Sequence, residues 1–305
     1  MDNSSKGILF AVFTALLWGF LAIALKVTLQ VLPPATIVWF RFFVAFVLLL
    51  IYFLRIKPSG ISIFRKPPLK LIFAGVFLGL NYLGFITGVH FTSPSNAQVF
   101  IQIGPVLFAL SGIFIFHEKL TWQNFVGFLL LIAGLILFYS IQTDVDFSGT
   151  ANFNKGVLWV IGGALAWALF AFLQKQLVVN YSTGQLNLFI YGLCSVLALP
   201  FVEFGELSNL TTGMWILLVF LGVNTLLAYG SLSLAIKYTE ANKVSAIITL
   251  NPLITFLTMA ILVNMNVSWI EKENFTMMSF MAALVVLSGA TLVVFFRKKS
   301  GNMKN

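Results

Sequence analysis

In a chain this apolar, the side chains that can hydrogen-bond are few. In the stretch NAQVFIQIGP, from Asn96 to Pro105, they recur with a helical period. Gln98 and Gln102 are four apart and share one helical face, and Pro105 follows three residues later on the same face. The stretch has a counterpart, KVSAIITLNP, from Lys243 to Pro252. A shift of 147 residues sets Gln98 on Ser245, Gln102 on Thr249 and Pro105 on Pro252. The chemistry on offer is that of neutral donors and acceptors that orient a ligand. An amide inside a membrane helix is costly unless it meets a partner or a water-filled cavity. Two such faces predict two walls of one site, with interhelical glue as the alternative.

Other polar and aromatic positions belong to the same set. Trp18 matches Trp167 under a shift of 149, and Tyr82 matches Tyr229 under 147. Each tryptophan lies about 12 residues into its apolar run, far from the interfacial belt where tryptophan usually anchors. An indole at that depth offers a flat face and one N–H. Asn81 and Asn224 have no matched partner and would set an asymmetry. Arg41 is the arginine set well inside an apolar run, and Ile190 stands at its matched position. It is expected to serve a structural or gating role, with a substrate carboxylate as the other reading. Pro105 and Pro252 would bend their helices, and Gly104 and Asn251 before them would free backbone carbonyls. Enzymatic chemistry finds little here. His90 and His117 lie at the ends of different runs, all nine carboxylates fall in loops or near run ends, and there is no phosphate-binding glycine loop. No cofactor or metal is expected. Cys194, the single cysteine, sits in an apolar run as a small packed hydrophobe.

The elements that must position these residues follow from composition. Of 305 residues, 60% are hydrophobic and 9% charged, against about 25% charged in soluble domains. Apolar runs of ~20 residues are long enough to cross a ~30 Å hydrocarbon core. Ten runs are predicted, at about 7–28, 36–54, 69–90, 96–116, 123–141, 155–175, 184–202, 213–236, 244–263 and 275–296. The first is not expected to be a cleaved leader. Between Lys6 and Lys26, 8 of 21 positions recur at a shift of 149, from Lys6/Lys155 to Lys26/Lys175. Runs three and eight share Leu71/Leu218, Phe73/Phe220, Gly75/Gly222, Val76/Val223, Leu80/Leu227 and Tyr82/Tyr229. The chain is therefore two five-helix repeats, residues 1–145 and 150–297. After run nine the shift rises from 147 to 155, an insertion of eight residues near Val263–Ile270. Lys26 and Lys175 are expected to snorkel at run ends. His90 is expected to be interfacial, and Glu118 and Glu273 to cap helix N-termini.

The net charge of +9 reflects loops, with no nucleic-acid partner expected. With the N-terminus in the cytoplasm, 14 of the 18 Lys and Arg fall on the cytoplasmic side, as positive-inside bias requires. Five runs per half is an odd number, so the halves insert with opposite orientation. Inverted repeats around a midplane site are a plan of secondary transporters. A membrane-embedded lipid-processing enzyme, and a passive channel or scaffold, are the alternatives.

The chain resembles the EamA-type branch of the drug/metabolite transporter superfamily. The resemblance is carried by the duplicated five-helix unit, Trp18-Gly19, and Arg41 within Phe40-Arg41-Phe42-Phe43. The polar-to-proline helices and the turn Glu118-Lys119-Leu120-Thr121 also carry it. It implies an all-α integral membrane protein of ten transmembrane helices, arranged as two inverted repeats around a central cavity lined mainly by spans 1, 3, 4, 6, 8 and 9. It also implies export of amino acids or related metabolites from a bacterial cell, across the inner membrane, with lipids as the surroundings. The substrate-binding set would be Trp18, Asn81, Tyr82, Gln98, Gln102, Trp167, Tyr229, Ser245 and Thr249, with Arg41, Pro105 and Pro252 gating or structural. The orientation is testable. In a Cys194→Ser background, a cysteine at Thr150 should react with an impermeant thiol reagent in intact cells and one at Ser59 should not; the reverse pattern refutes the inversion.

Overall fold

The computed structural model describes residues 3–116, 121–145, 150–239, 244, 247–271, 273 and 276–295. The described helices are α1 (Asn3–Thr28), α2 (Pro34–Ile56), α3 (Leu69–Phe91), α4 (Pro94–Phe100), α5 (Ile103–Phe116), α6 (Trp122–Val145) and α7 (Thr150–Leu177). They continue with α8 (Thr183–Ala198), a single turn α9 (Phe204–Leu207), α10 (Thr212–Tyr238), α11 (Asn251–Asn264) and α12 (Met277–Phe295). Among the described residues, eight segments are long and apolar enough to cross a membrane. Runs four and nine depart from the expectation of one bent helix each. Run four is interrupted between α4 and α5, and run nine just before α11.

The helix ends have local causes. Pro34 and Pro94 open α2 and α4, where the missing N–H costs nothing. Ser182 and Gln185 form a reciprocal capping box on α8, and Thr211 accepts from Met214 N at the start of α10. Beyond α11, Asn266 takes φ 53°. Val267 N then bonds Leu262 O and Asn266 N bonds Val263 O, the pairing that closes a helix on a left-handed residue. Large apolar side chains such as Leu158, Val196, Ile216 and Met277 are exposed on the outside of the bundle, as a hydrocarbon solvent allows.

The halves pair in a matched way. α3 packs on α7 as α1 packs on α10, α3 on α8 as α2 on α10, and α5 on α7 as α11 on α1, while α2 meets α8 and α6 meets α12. The corresponding helices α2 and α8 run antiparallel, as do α6 and α12. Gly184 and Gly192 of α8 face Phe53 and Phe46 of α2, and Gly127 and Gly134 of α6 face Val293 and Val286 of α12. The second half is thus inverted relative to the first. Small residues set the closest approaches, as they do where lipid supplies no hydrophobic drive between helices. A Cβ on Gly84 would stand 2.7 Å from Trp159 O and 2.8 Å from Gly163 Cα, so α3 and α7 meet backbone to backbone.

The segment after α11 folds over the end of α1. Ile270 packs with Ile23, Val27 and Met259, and Gln30 Nε2 donates to Trp269 O over 3.1 Å. Lys26 does not simply snorkel: its Nζ lies 2.8 Å from Glu271 Oε2. Glu273 serves a helix N-terminus, though one distant in sequence: Ser95 N, in the first turn of α4, donates to its Oε1 over 3.2 Å. Lys119, Glu118, Lys243 and Lys272 lie outside the described residues. Burial pushes the partly buried Glu273 carboxyl up to about 7, against the opposing pull of the Ser95 and Ser93 hydrogen bonds and of Lys26. Lys26 and its hydrogen bond hold exposed Glu271 below the usual carboxylate range. A raised carboxyl pKa means the folded state holds its proton longer, so this contribution to stability is lost as pH rises from about 4.5 through about 7. Glu273→Gln should therefore gain stability relative to the wild type over that interval, measured as the difference in melting temperature in detergent; a pH-independent difference refutes the assignment.

Candidate functional site

The two interrupted runs meet. At the first break, Gln102 N bonds Val99 O over 3.2 Å and Gly104 N bonds Ile101 O over 2.9 Å. At the second, Leu250 N bonds Ile247 O over 3.1 Å and Leu253 N bonds Leu250 O over 3.0 Å. Bonds to the third residue back tighten the chain and let the helix restart, with Pro252 in the first turn of α11 and Pro105 in that of α5. Both prolines thus begin helices where a bend within a helix was expected. Side chains then tie the breaks to each other and to α1. Gln102 Nε2 donates to Asn251 Oδ1 over 3.2 Å, Gln98 Nε2 to Trp18 O over 2.9 Å, and Thr255 Oγ1 to Gly19 O over 2.7 Å. Gln98, Gln102, Thr249, Asn251 and Thr255 are all buried. The second half makes the corresponding contact with apolar groups: Gly104 lies against Ala164 and Trp167, and the Phe108 ring stands edge-on to Trp167 at 6.2 Å.

The matched aromatics come together beside these breaks. Trp18 stands edge-on to Tyr229 with centroids 5.7 Å apart, and Tyr82 and Trp167 pack into the same core. The Thr225 hydroxyl donates to Leu221 O over 3.1 Å, which leaves its own oxygen as an acceptor. Arg41 Nε donates to that oxygen over 3.2 Å, and the guanidinium carbon lies 4.5 Å from the Tyr82 ring centroid.

Of the residues expected at a substrate surface, Trp18, Tyr82, Trp167 and Tyr229 form one cluster, and Gln98, Gln102 and Thr249 lie at the breaks. Ser245 lies outside the described residues. Asn81 points elsewhere: its Nδ2 donates to Gly163 O of α7 over 3.0 Å. At the matched position between α1 and α10, Thr14 Oγ1 reaches toward Ala228 O at 3.5 Å. Asn224 Nδ2 donates to Leu17 O over 3.0 Å. Cys194 is buried, with Sγ 3.2 Å from Gly75 O. Sequence reasoning did not single out Thr225, Tyr191 or Thr255. Thr255 had a signal in its four-residue spacing from Asn251, and Tyr191 adjoins Ile190, the counterpart of Arg41.

These features define a multi-pass helical membrane protein with two inverted halves, each contributing one interrupted helix to a polar and aromatic centre. The chain belongs to the EamA-like transporter family, whose model matches residues 5–140 and 154–295. It is 32% identical over 292 residues to the uncharacterized inner membrane transporter YhbE of Escherichia coli (strain K12), covering 95% of this chain and 91% of the relative. It is 33% identical over 288 residues to an uncharacterized transporter of Haemophilus influenzae, covering 94% of each. A solved crystal structure shares the fold with a TM-score of 0.65 over 97% of this chain and 99% of that one, at 16% identity. Gln102→Leu would leave Asn251 Oδ1 without its donor. Together with Thr249→Val it should lower flux in proteoliposomes by roughly tenfold, at normal expression. Wild-type flux in both variants would reduce these groups to interhelical glue.

Proposed function

We propose that the protein is a secondary carrier that moves small organic metabolites, amino acids foremost, out of the cell by alternating access to one central site. The observation that supports this most is the meeting of two interrupted helices, one from each half, through Gln102 and Asn251. Non-helical backbone at membrane depth is tolerated where it is buried in protein or lines a cavity, and carriers built from inverted repeats place substrate at such breaks. The exchange of contacts between matched halves gives two end states of similar energy a simple origin: each half can adopt the packing of the other. The partly buried indoles of Trp18 and Trp167 supply flat apolar surface for a side chain. The protein sits in the bacterial inner membrane, as the E. coli relative's name has it for that protein, with both termini in the cytoplasm.

Energy coupling follows from the placement of acids. Of the described carboxylates, Asp144 lies in the last turn of α6, beyond the apolar span Trp122–Thr143, Glu206 lies in the single turn α9, and Glu203, Glu271 and Glu273 lie outside the helices; a guanidinium keeps its proton at any working pH. The carrier is therefore a facilitator or exchanger whose direction is set by the substrate gradient. In liposomes, a substrate that is neutral overall should move down its gradient, and undergo counterflow, with no pH difference or membrane potential. Accumulation driven by a pH gradient alone, and abolished by Glu203→Gln, would place a proton site at the mouth of α8. Flux that does not saturate would favour a channel.

A further inference from the structure

We infer that Arg41 is the anion-binding group of the central site and that the transported molecule carries a carboxylate. This rests on the carrier reading and adds the chemical class of its cargo. Arg41 is 2% exposed. Its partners among the described residues are neutral: Thr225 at Nε and the face of Tyr82. The ion pair found among the described residues is Lys26 with Glu271, at the far end of α1. The guanidinium is thus buried without a counter-ion among the described residues, and the hydrogen bond found for it there is the one from Nε to the neutral Thr225. Proteins do not hold such a charge without cause, since a buried ion is costly unless paired and hydrogen-bonded.

Packing is not the cause. The second half builds the same helix pairing with Ile190 at the matched position, fully buried, so the fold accepts an aliphatic side chain there. An unpartnered hydroxyl lies on the helix packed against α2. The hydroxyl of Tyr191 on α8 is buried with no hydrogen-bond partner, and its ring stands 6.0 Å from that of Phe42, which in turn lies 4.4 Å from the Tyr82 ring that Arg41 covers. A buried cation with neutral partners and an unpartnered phenol on the facing helix together call for an acceptor that the described residues do not supply. A carboxylate fits: two oxygens accept in parallel from the Nη edge of a guanidinium whose Nε edge and ring face are already occupied. Tyr82, Tyr229 and the indoles of Trp18 and Trp167 belong to one core, with Arg41 over the Tyr82 ring, so a bound carboxylate has apolar surface in the same core for the remainder of the molecule.

The test uses the purified full-length protein in detergent, with thermal unfolding as the readout. The probes are L-phenylalanine, L-leucine, 3-phenylpropionate and pyruvate, each beside its primary amide. At least one acid should raise the melting temperature of the wild type while its amide does not. Tyr191→Phe should weaken that acid severalfold, and Arg41→Ile should abolish its effect. Without any probe, Arg41→Ile should melt at or above the wild-type temperature, because it removes an uncompensated charge and installs the residue that the other half carries. The inference is overturned if amides stabilise as well as acids, if no acid stabilises, or if Arg41→Ile alone melts well below the wild type, which would make Arg41 structural. Counterflow of the same probes separates the two readings. Amides exchanging as fast as acids would remove the carboxylate and keep the carrier. Binding of acids without exchange of any probe would remove the carrier and keep the anion site.

Discussion

A helix that stops inside a membrane leaves backbone groups that hydrocarbon cannot satisfy. This protein interrupts two helices, and the surrounding structure is arranged to absorb the cost. At each break the ladder shortens to the third residue back, which satisfies N–H groups locally. Proline then restarts the helix where a missing N–H is harmless. The amides of Gln98 and Gln102 and the hydroxyl of Thr255 bind the breaks to α1 and to each other. Each of these side chains is buried, so none falls back on solvent. The breaks are held by protein, and the groups that hold them differ between the halves.

That difference sits within a symmetric frame. Antiparallel pairs related by exchange of the halves carry the bundle, and their close approaches rest on small residues such as Gly84 against Gly163 and Gly289 against Gly127. Between α3 and α7 the tie is Asn81 to Gly163 O; between α1 and α10 it is Asn224 to Leu17 O. The positions matched to Asn81 and Gly163 also face each other, as Ala228 and Thr14, but the Thr14 hydroxyl donates to Phe10 O of its own helix over 2.9 Å. Two sequences have found one geometry by different bonds, as expected when the backbone approach is fixed by packing and the polar link is added to it.

The centre departs from symmetry in charge. Arg41 meets the neutral Thr225 and the face of Tyr82, and Ile190 occupies the equivalent place. The outer ends are asymmetric too. The inserted segment near Val263–Ile270 has no counterpart in the first half, and it brings Glu271 to Lys26 and Glu273 to the first turn of α4. Both carboxylates thereby tie α1 and α4, two helices that meet at Gln98 and Trp18, to the loop that follows α11.

Much was legible in the sequence. Apolar runs, the internal shift of 147 to 149 residues and the bias of Lys and Arg determine a helical membrane protein made of two repeats, because length against bilayer thickness and loop charge are local properties of the chain. The same alignment marked Trp18, Trp167, Tyr82 and Tyr229, and their gathering in one cluster follows from the repeat itself. The tertiary structure alone decided who meets whom. A polar residue in an apolar run states a need for a partner but does not name it. Gln98 finds Trp18 across 80 residues, Gln102 finds Asn251 across 149, and Arg41 finds Thr225 across 184. Whether a proline bends a helix or begins one also depends on whether neighbours can take over the freed backbone groups. Those neighbours come from other helices, so the sequence around Pro105 and Pro252 announced an irregularity and only the packing made it a break.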